Sequence, residues 1–224
     1  MAIQIQGANG GIIGEGGDTF DAIKTQAMPL DYGSLGQYSY GGISGVIPAA
    51  LAANSEIFQF RWTDATRLCS ILEVVISACV STTFFAAGVP VQIYLVKATG
   101  WSAAGTLGTR ITPAALLKLR TSMGSTLVAA SDIAIATTAA LGAGTKTLET
   151  LALRTLVAPG PITASLNGLI IPPGTSMFRG EISDGQHPLV LAQNEGFVIR
   201  SVAVPATCTW TVSISVTWAE LTAF

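Results

Sequence analysis

The sequence has few charged residues. Only 11% of the side chains are charged, with 11 basic and 13 acidic residues and a net charge of −2, whereas soluble domains average about 25%. Half of the residues are apolar and the mean hydropathy is +0.56, so a lone monomer has little charge to keep it dispersed. We therefore expect a surface of Ser, Thr, Gln and Gly, part of which is buried against other chains.

The basic residues are also scattered, since no cluster of Lys and Arg occurs. A surface that follows a phosphate backbone needs several clustered cations, so the sequence predicts no direct nucleic-acid partner. Residues 74–96 carry no charge and are long enough to cross a bilayer. Gly88 and Pro90 divide this stretch, however, and favour two buried strands joined by a turn. The first six residues lack the basic and apolar regions of a signal peptide, and we expect no membrane partner.

Groups for catalysis and metal binding are scarce. A single histidine, His187, is too few for a His-rich metal site and leaves little for a Ser/His/Asp triad. Cys69, Cys79 and Cys208 have no CxxC spacing. They are predicted to be buried thiols, and a disulfide between two of them is the alternative. We predict no catalytic residue, no metal, no cofactor and hence no enzyme.

Two local patterns resemble functional sites without matching them. Residues 142–147, GAGTKT, resemble the end of a phosphate-binding loop, but an extra threonine separates the glycine from Lys146, which predicts the tip of a hairpin. Glu73 is the single charge in a long apolar strand, and a buried acid needs a partner or takes a raised pKa. Arg61 and Arg67, on neighbouring strands, are its predicted partners. A pair of acids in a groove, as glycosidases use, stays an alternative.

The end of the chain has the clearest pattern, because apolar and small polar residues alternate there without error. The apolar set is Cys208, Trp210, Val212, Ile214, Val216 and Trp218, and the other set is Thr209, Thr211, Ser213, Ser215, Thr217 and Ala219. Such alternation predicts one long strand with a buried face and a hydroxyl-rich face. Residues 189–192 and 197–204 predict two further strands, and the short turns between the three predict an antiparallel meander.

The chain as a whole is predicted to be all-β, with an antiparallel β-sandwich or jelly-roll-like domain over residues 56–224. Phe58, Phe60 and Trp62 alternate with polar residues and predict a strand over residues 56–62. Thr112-Pro113 is a helix-start signal and predicts one short helix at residues 114–120.

Residues 1–55 are rich in glycine and poorly periodic. We predict that they form an extended N-terminal arm that becomes ordered on a neighbour. Aromatic and apolar side chains are its predicted anchors, namely Tyr32, Leu35, Tyr38 and Tyr40. An irregular loop pinned by the same aromatics is the alternative.

Several phrases of the sequence resemble one family of virion structural proteins from tailed bacteriophages. They are LGQY (35–38) followed by Ser44-Gly45, IFQFRWTDATR (57–67), KLRTSMGSTLV (118–128), IATTAALGAGTKTLET (135–150), and HPLVLAQNEGFVIR (187–200) through WAE (218–220). The resemblance extends from about Leu35 to Glu220. It implies a protein that decorates or cements the capsid exterior, and it carries over no catalytic residue.

The residues and the resemblance together predict a non-enzymatic capsid decoration protein. Cement proteins are often β-sandwich trimers at symmetry axes of the shell, so the predicted partners are further copies of this chain, as a homotrimer, and the major capsid protein. The predicted location is the exterior of the virion. The predicted assembly contacts are the four arm anchors and the hydroxyl row Thr209, Thr211, Ser213 and Ser215. A tail-associated fibre or knob that binds a host receptor or glycan is the alternative, and an exposed aromatic such as Trp101 would mark it.

Overall fold

The structure is a computed structural model, and it describes residues 3–6, 12–16, 36–47, 51–85, 90–112, 117–160, 168–180, 187–204 and 207–222. The chain divides into two compact units, Met1–Leu30 and Asp31–Phe224. In the first unit, strands β1 (Ile3–Gln6) and β2 (Ile12–Gly16) pair antiparallel. The second unit contains the other described strands.

The second unit is an antiparallel β-sandwich, which confirms the predicted fold class. Its strands are β3 (Gln37–Ile43), β4 (Ser55–Trp62), β5 (Leu68–Val80), β6 (Pro90–Ala103), β7 (Thr109–Arg110), β8 (Ile133–Ile135), β9 (Thr145–Leu148), β10 (Arg154–Pro159), β11 (Leu169–Arg179), β12 (Leu189–Leu191), β13 (Glu195–Ser201) and β14 (Trp210–Leu221). The seven-stranded sheet has the order β10-β6-β13-β4-β8-β7, with β9 beside β6. The five-stranded sheet has the order β11-β5-β14-β3, with β12 beside β5. The jelly-roll-like connectivity stays a prediction.

Aromatic side chains fill the space between the two sheets. Phe60 of the seven-stranded sheet meets Trp218 of the five-stranded sheet edge to face, with ring centroids 5.4 Å apart. Phe58 and Tyr40 stack across the same space at 5.9 Å. These rings are buried, and aromatic side chains bury more area than any others, so this layer joins the two sheets.

The alternation in the last strand is confirmed, but the predicted meander is wrong. Trp210, Val212, Ile214, Val216 and Trp218 are all buried. However, β12 and β14 pair with β5 in one sheet, whereas β13 pairs with β4 and β6 in the other. The chain crosses between the sheets after β12 and again after β13. Period-2 patterning indicates which side of a strand is buried, but it does not identify the neighbouring strand.

The predicted boundary between the arm and the sandwich, near residue 55, is also wrong. Strand β3 lies inside the predicted arm, yet it pairs with β14 over its full length, from Gln37↔Ala219 to Ile43↔Ser213. The unit that contains both sheets begins at Asp31. Burial of alternate side chains of β3 against the core offsets the weak strand propensity of its Gly41-Gly42 pair.

The predicted helix at residues 114–120 is not present in its described part. Residues 113–116 lie outside the described ranges, and residues 117–120 contain no α-helical turn. Instead, Lys118 forms an antiparallel bridge with Tyr38, and the backbone N–H of Leu119 donates to the carbonyl of Gln37 at 3.0 Å. Pairing with the free edge of β3 satisfies backbone groups that a helix would otherwise have bonded.

Candidate assembly face

The outer side of the five-stranded sheet carries the hydroxyl row of the last strand. The side chains of β14 that alternate with the buried set point outward, and paired positions of an antiparallel sheet share a face. We call the following residues the assembly face: Thr211, Ser213, Ser215 and Thr217 of β14; Glu73, Val75, Ser77 and Cys79 of β5; and Ser39, Gly41 and Ile43 of β3.

Charge on the assembly face is confined to one end. Glu73 is its single charged member, opposite Thr217 in register, and Arg179 of β11 is the residue paired with Glu73 on the other side. Ser213 lies well away from this end, between Ser77 and Ile43. Most of the face can therefore approach another protein surface without removing a charge from water, which is the costly step in burying polar surface.

The uncharged end of the assembly face forms a groove of about 340 Å³. Ile43 of β3 stands on one side, Leu169 and Pro173 of β11 stand on the other, and Ser213 lies between them. Ile43 is 73% exposed and Leu169 is 41% exposed. Exposed apolar side chains around an uncharged floor are a feature of protein-contact surfaces.

The residues in the middle of the assembly face have small side chains, so they project little above the sheet. The Thr211 hydroxyl lies 3.3 Å from the Cys79 thiol, and the Thr217 hydroxyl donates to Ser39 at 3.4 Å. At Gly41, a Cβ would lie 3.4 Å from the Ser215 hydroxyl oxygen, so a larger residue there would fill the space above the strand. The hydroxyls partly satisfy one another and leave a shallow, nearly flat surface.

Thr209 does not belong to this row, contrary to the prediction. Its hydroxyl oxygen accepts hydrogen bonds from the backbone N–H groups of Thr82 at 3.0 Å and Thr83 at 2.9 Å, and lies 2.8 Å from the Thr82 hydroxyl. Thr209 precedes β14 and ties it to the end of β5. Its role in the structure is local, because the competing backbone donors occupy its oxygen.

The predicted arm anchors fall into two groups. Tyr32 and Leu35 lie outside the described residues. Tyr38 and Tyr40 are in β3 and are 1% and 5% exposed, because their rings point into the sandwich, where Tyr38 stacks on Trp218 at 5.8 Å. They are core residues of the sandwich and are not surface contacts. Trp101, the predicted marker of a ligand-binding knob, is also buried at 1%.

The outer side of the seven-stranded sheet is covered around β6 and β13, whereas Thr155 and Val157 of the edge strand β10 are exposed. Val96, Ala98, Trp101 and Val198 form a second apolar cluster in the covered part, and Leu148 and Ala152 pack on it. Gly142 contacts this side as well, since its carbonyl accepts a hydrogen bond from Nε2 of Gln59 at 2.8 Å. The two outer sides of the sandwich thus differ, since one is open and nearly uncharged while the middle of the other is covered by other segments of the chain.

A buried ion pair lies on this side of the seven-stranded sheet. Arg61 of β4 bonds Asp132 through two nitrogens at 2.8 Å, with side-chain exposures of 11% and 0%. Asp132 also accepts hydrogen bonds from the Thr63 hydroxyl at 2.5 Å and the Ala129 N–H at 3.1 Å. The prediction that Arg61 pairs with Glu73 is wrong, because the two residues are on different sheets.

A second buried pair joins Lys146 of β9 to Glu56 of β4. The Lys146 amine lies 2.8 Å from Oε2 of Glu56, with side-chain exposures of 2% and 6%, and 4.4 Å from the centroid of the Trp101 ring. Burial lowers the pKa of Lys146, the carboxylate of Glu56 partly restores it, and the positive charges of Arg200 and Arg110 lower it further. Residues 142–144 form no phosphate cradle here, since the carbonyls of Ala143 and Gly142 accept hydrogen bonds from this lysine and from Gln59.

Glu220 is a buried acid at the end of β14. It is 2% exposed and accepts hydrogen bonds from the Thr126 hydroxyl at 2.5 Å and the Leu127 N–H at 3.0 Å. Burial raises the pKa of Glu220, and these hydrogen bonds oppose the rise. Burial and the charge of Glu220 also raise the pKa values of Cys69 and Tyr38.

His187 and the three cysteines are dispersed over the described residues. His187 has its Nδ1 2.7 Å from the carbonyl of Pro188. None of the three cysteines is in a disulfide, and Cys79 is exposed, which corrects the prediction that all three are buried. Among the described ranges, no group of three or more His, Cys, Asp or Glu side chains is arranged to hold a metal ion.

Sequence reasoning found the hydroxyl row but missed the walls of the groove. Ile43 lies in the Gly-rich region predicted to be the arm, and Leu169 lies in a part of the chain for which the sequence predicts no strand. The signal for Leu169 is the LII run at residues 169–171, in which Ile170 and Ile171 are buried. No local pattern identifies the exposed member of such a run, because all three residues are apolar.

Comparison of the chain with protein-family models, with curated proteins and with solved structures found no match. Within the described ranges, no helix is long and apolar enough to span a membrane. The charge-free stretch at residues 74–96 is divided between β5 and β6 in its described part.

Proposed function

We propose that this chain is a non-enzymatic structural protein of a tailed-phage virion, which binds the exterior of the capsid as an oligomer and stabilises the shell. The observation that carries the proposal is the assembly face. It is an open sheet surface with one charged residue at its end and a groove with exposed apolar walls. The sequence resemblance to virion structural proteins supports the same role.

The distribution of charge supports contact with other chains. Two of the charged pairs, Arg61–Asp132 and Lys146–Glu56, are buried on the other sheet, and Glu73 is the single charged residue of the assembly face. A surface of this kind gains free energy when it is covered, because apolar area leaves water and few polar groups lose hydration. We assign the face to contacts between copies, with a homotrimer as the proposed assembly.

The N-terminal unit supports an additional contact. A two-stranded hairpin is at best marginally stable alone in water, and β1 and β2 pair only with each other among the described strands. We assign Met1–Leu30 the role of an arm that docks on a neighbouring molecule of the shell. Many weak contacts of this kind add through multivalency on a symmetric particle, and the major capsid protein is the proposed partner.

The proposal is tested with phage heads that lack this protein. Purified wild-type chain is added to the heads, bound protein is quantified after sedimentation, and the temperature of DNA release is measured. We expect saturable binding and a higher release temperature. Ser213→Lys is expected to reduce both, whereas Thr155→Lys, an exposed hydroxyl residue on edge strand β10 of the other sheet, is expected to behave as wild type.

Electron microscopy of gold-labelled protein on the same particles separates head from tail. Label on the heads is the expected result. Label confined to the tail would replace the capsid role by a fibre or knob role, and absence of binding together with an unchanged release temperature would refute the decoration function.

A further inference from the structure

Three polar side chains meet on the covered side of the seven-stranded sheet. Oε2 of Glu56 accepts a hydrogen bond from Nε2 of Gln59 at 2.6 Å and from the Lys146 amine at 2.8 Å. The amine and the carboxamide nitrogen therefore both contact one carboxylate oxygen. All three side chains are buried, which is unusual for a lysine.

Two local features bring these side chains together. The register between β4 and β13 shifts at Ile199/Arg200, and this irregularity of the ladder puts Glu56 on the same side as Gln59, although three positions separate them. On the other side, Gly144 has a φ of +68°, and a Cβ there would collide with the carbonyl of Ala103. The chain can therefore turn tightly before β9 and direct Lys146 inward.

We propose that Lys146 and Gln59 form an intramolecular isopeptide bond, with Glu56 as the group that transfers the proton. The ε-amine of Lys146 attacks Cδ of the Gln59 carboxamide, a C–N bond forms between them, and the bond from Cδ to Nε2 breaks. The products are a secondary amide that links β9 to β4 and one molecule of ammonia. No oxidant, reductant or further reactant is needed.

The position of Glu56 suits both proton transfers. Oε2 is in hydrogen-bond contact with the attacking amine and with the nitrogen that leaves, so one carboxylate can take a proton from Lys146 and give one to the departing ammonia. A positioned acid–base group in contact with both reacting nitrogens is the usual requirement for such catalysis. Confinement of the amine and the amide in one buried cluster supplies the proximity that an uncatalysed amide exchange lacks.

The nucleophile is the neutral amine, and the surroundings lower the pKa of Lys146 although the Glu56 carboxylate opposes this. Burial and the nearby charges of Arg200 and Arg110 lower the pKa of Lys146. The carbonyl oxygen of Gln59 is buried and accepts no hydrogen bond from the described residues, and the Nε–H of Arg200 is buried and donates none to them. Arg200 is paired with Glu56 in register and so shares its face, and it is a candidate donor to the oxyanion that forms on Gln59.

The test is the intact mass of the purified full-length chain. The bond predicts a mass lower than the sequence mass by one ammonia molecule, and proteolysis followed by tandem mass spectrometry should yield one branched peptide in which Lys146 is joined to Gln59. Lys146→Arg and Glu56→Gln are each expected to have the full mass calculated from the sequence of that variant. Lys97→Arg is the matched control, because Lys97 makes a partly exposed ion pair with Glu149 at 3.8 Å, and this variant is expected to have a mass one ammonia molecule below that of its own sequence.

The wild-type chain alone decides the outcome, even if a variant does not fold. A full mass after prolonged incubation of folded protein at neutral pH would show that the three side chains form an ion pair and hydrogen bonds only. A loss of ammonia that maps to another residue would equally refute the bond. If the branched peptide is present, heating in denaturant should leave it intact, since an amide is not broken by unfolding.

Discussion

The two outer sides of the sandwich use polar residues in opposite ways. On the seven-stranded sheet, charged side chains are paired beneath covering segments, as in Arg61–Asp132 and Lys146–Glu56. On the five-stranded sheet, the assembly face has hydroxyls and exposed apolar side chains in the open. A buried charge depends strongly on its partner, whereas an exposed hydroxyl does not. We therefore expect mutations on the first side to affect folding and mutations on the second to affect assembly.

The largest effect on folding is expected at Asp132. Replacing Asp132 by Ala leaves the Arg61 guanidinium, 11% exposed, without its carboxylate, and loss of one partner of a buried pair costs about 3–5 kcal/mol. Urea unfolding of the purified variant measures the loss. Glu149→Ala is the control, because its pair with Lys97 is half exposed, and exposed pairs contribute about 0–1 kcal/mol. Equal losses of unfolding free energy in the two variants would contradict the expectation that the buried pair contributes more to folding than the partly exposed pair.

The next effect is expected at the walls of the groove. Ile43 and Leu169 are exposed in the isolated chain, so replacing both by Ser should change the free energy of unfolding of the monomer by only about 0.5 kcal/mol or less. Complete burial of such a side chain at an interface contributes about 1.5–3 kcal/mol, so the assembly should weaken by roughly tenfold or more. Sedimentation velocity over a concentration series measures this. Val157→Ser, at a position 64% exposed on β10, should leave assembly unchanged. A similar weakening of assembly in this variant would indicate that the interface is on the seven-stranded sheet.

The smallest effect is a pH dependence that arises from Glu220, the buried acid at the end of β14. Its pKa is raised above the ordinary value of 4.5, chiefly by burial, so the unfolded chain loses this proton at a lower pH than the folded chain. The stability associated with the protonated carboxyl is complete below about pH 4.5 and is lost as the pH rises through the folded pKa. Glu220→Gln should therefore gain stability relative to wild type as the pH rises through this window. Parallel urea titrations at several pH values check the trend, and a constant difference between the two proteins would contradict it.

Much of the sandwich can be predicted from local pattern, because one residue in two must face the core. The strand at Phe58–Phe60–Trp62 and the last strand were predicted in this way, and their buried sets are confirmed. The pairing of β13 with β4 and β6 could not be predicted, because it depends on residues more than 90 positions away. Strand β3 could not be predicted for the same reason. Its Gly41-Gly42 pair has a low strand propensity, and the strand forms because it pairs with β14, which is distant in sequence.

The site was only partly predictable for a related reason. The hydroxyl row of β14 is visible in the sequence. The groove is not, because its walls are Ile43 of β3 and Leu169 of β11, which are distant in sequence from the row. Tyr38 and Tyr40 were assigned to an arm because aromatic residues in a Gly-rich segment resemble surface anchors, and the structure places them in the core. The cluster of Glu56, Gln59 and Lys146 was not predicted, since Lys146 is distant in sequence from the other two and the three meet through a ladder irregularity in β4 and a glycine turn before β9.

The most direct measurement is the molar mass in solution of wild type, Ser213→Lys and Thr155→Lys, by light scattering after size exclusion. A lysine at Ser213 must lose hydration when the assembly face is covered, and the effective cost for a buried ion is several kcal/mol. We predict that wild type and Thr155→Lys have a multiple of the 23.0 kDa chain mass, three-fold in the proposed assembly, and that Ser213→Lys is a folded monomer. A wild-type monomer, or a Ser213→Lys oligomer of unchanged mass and affinity, would show that the assembly face lies in solvent.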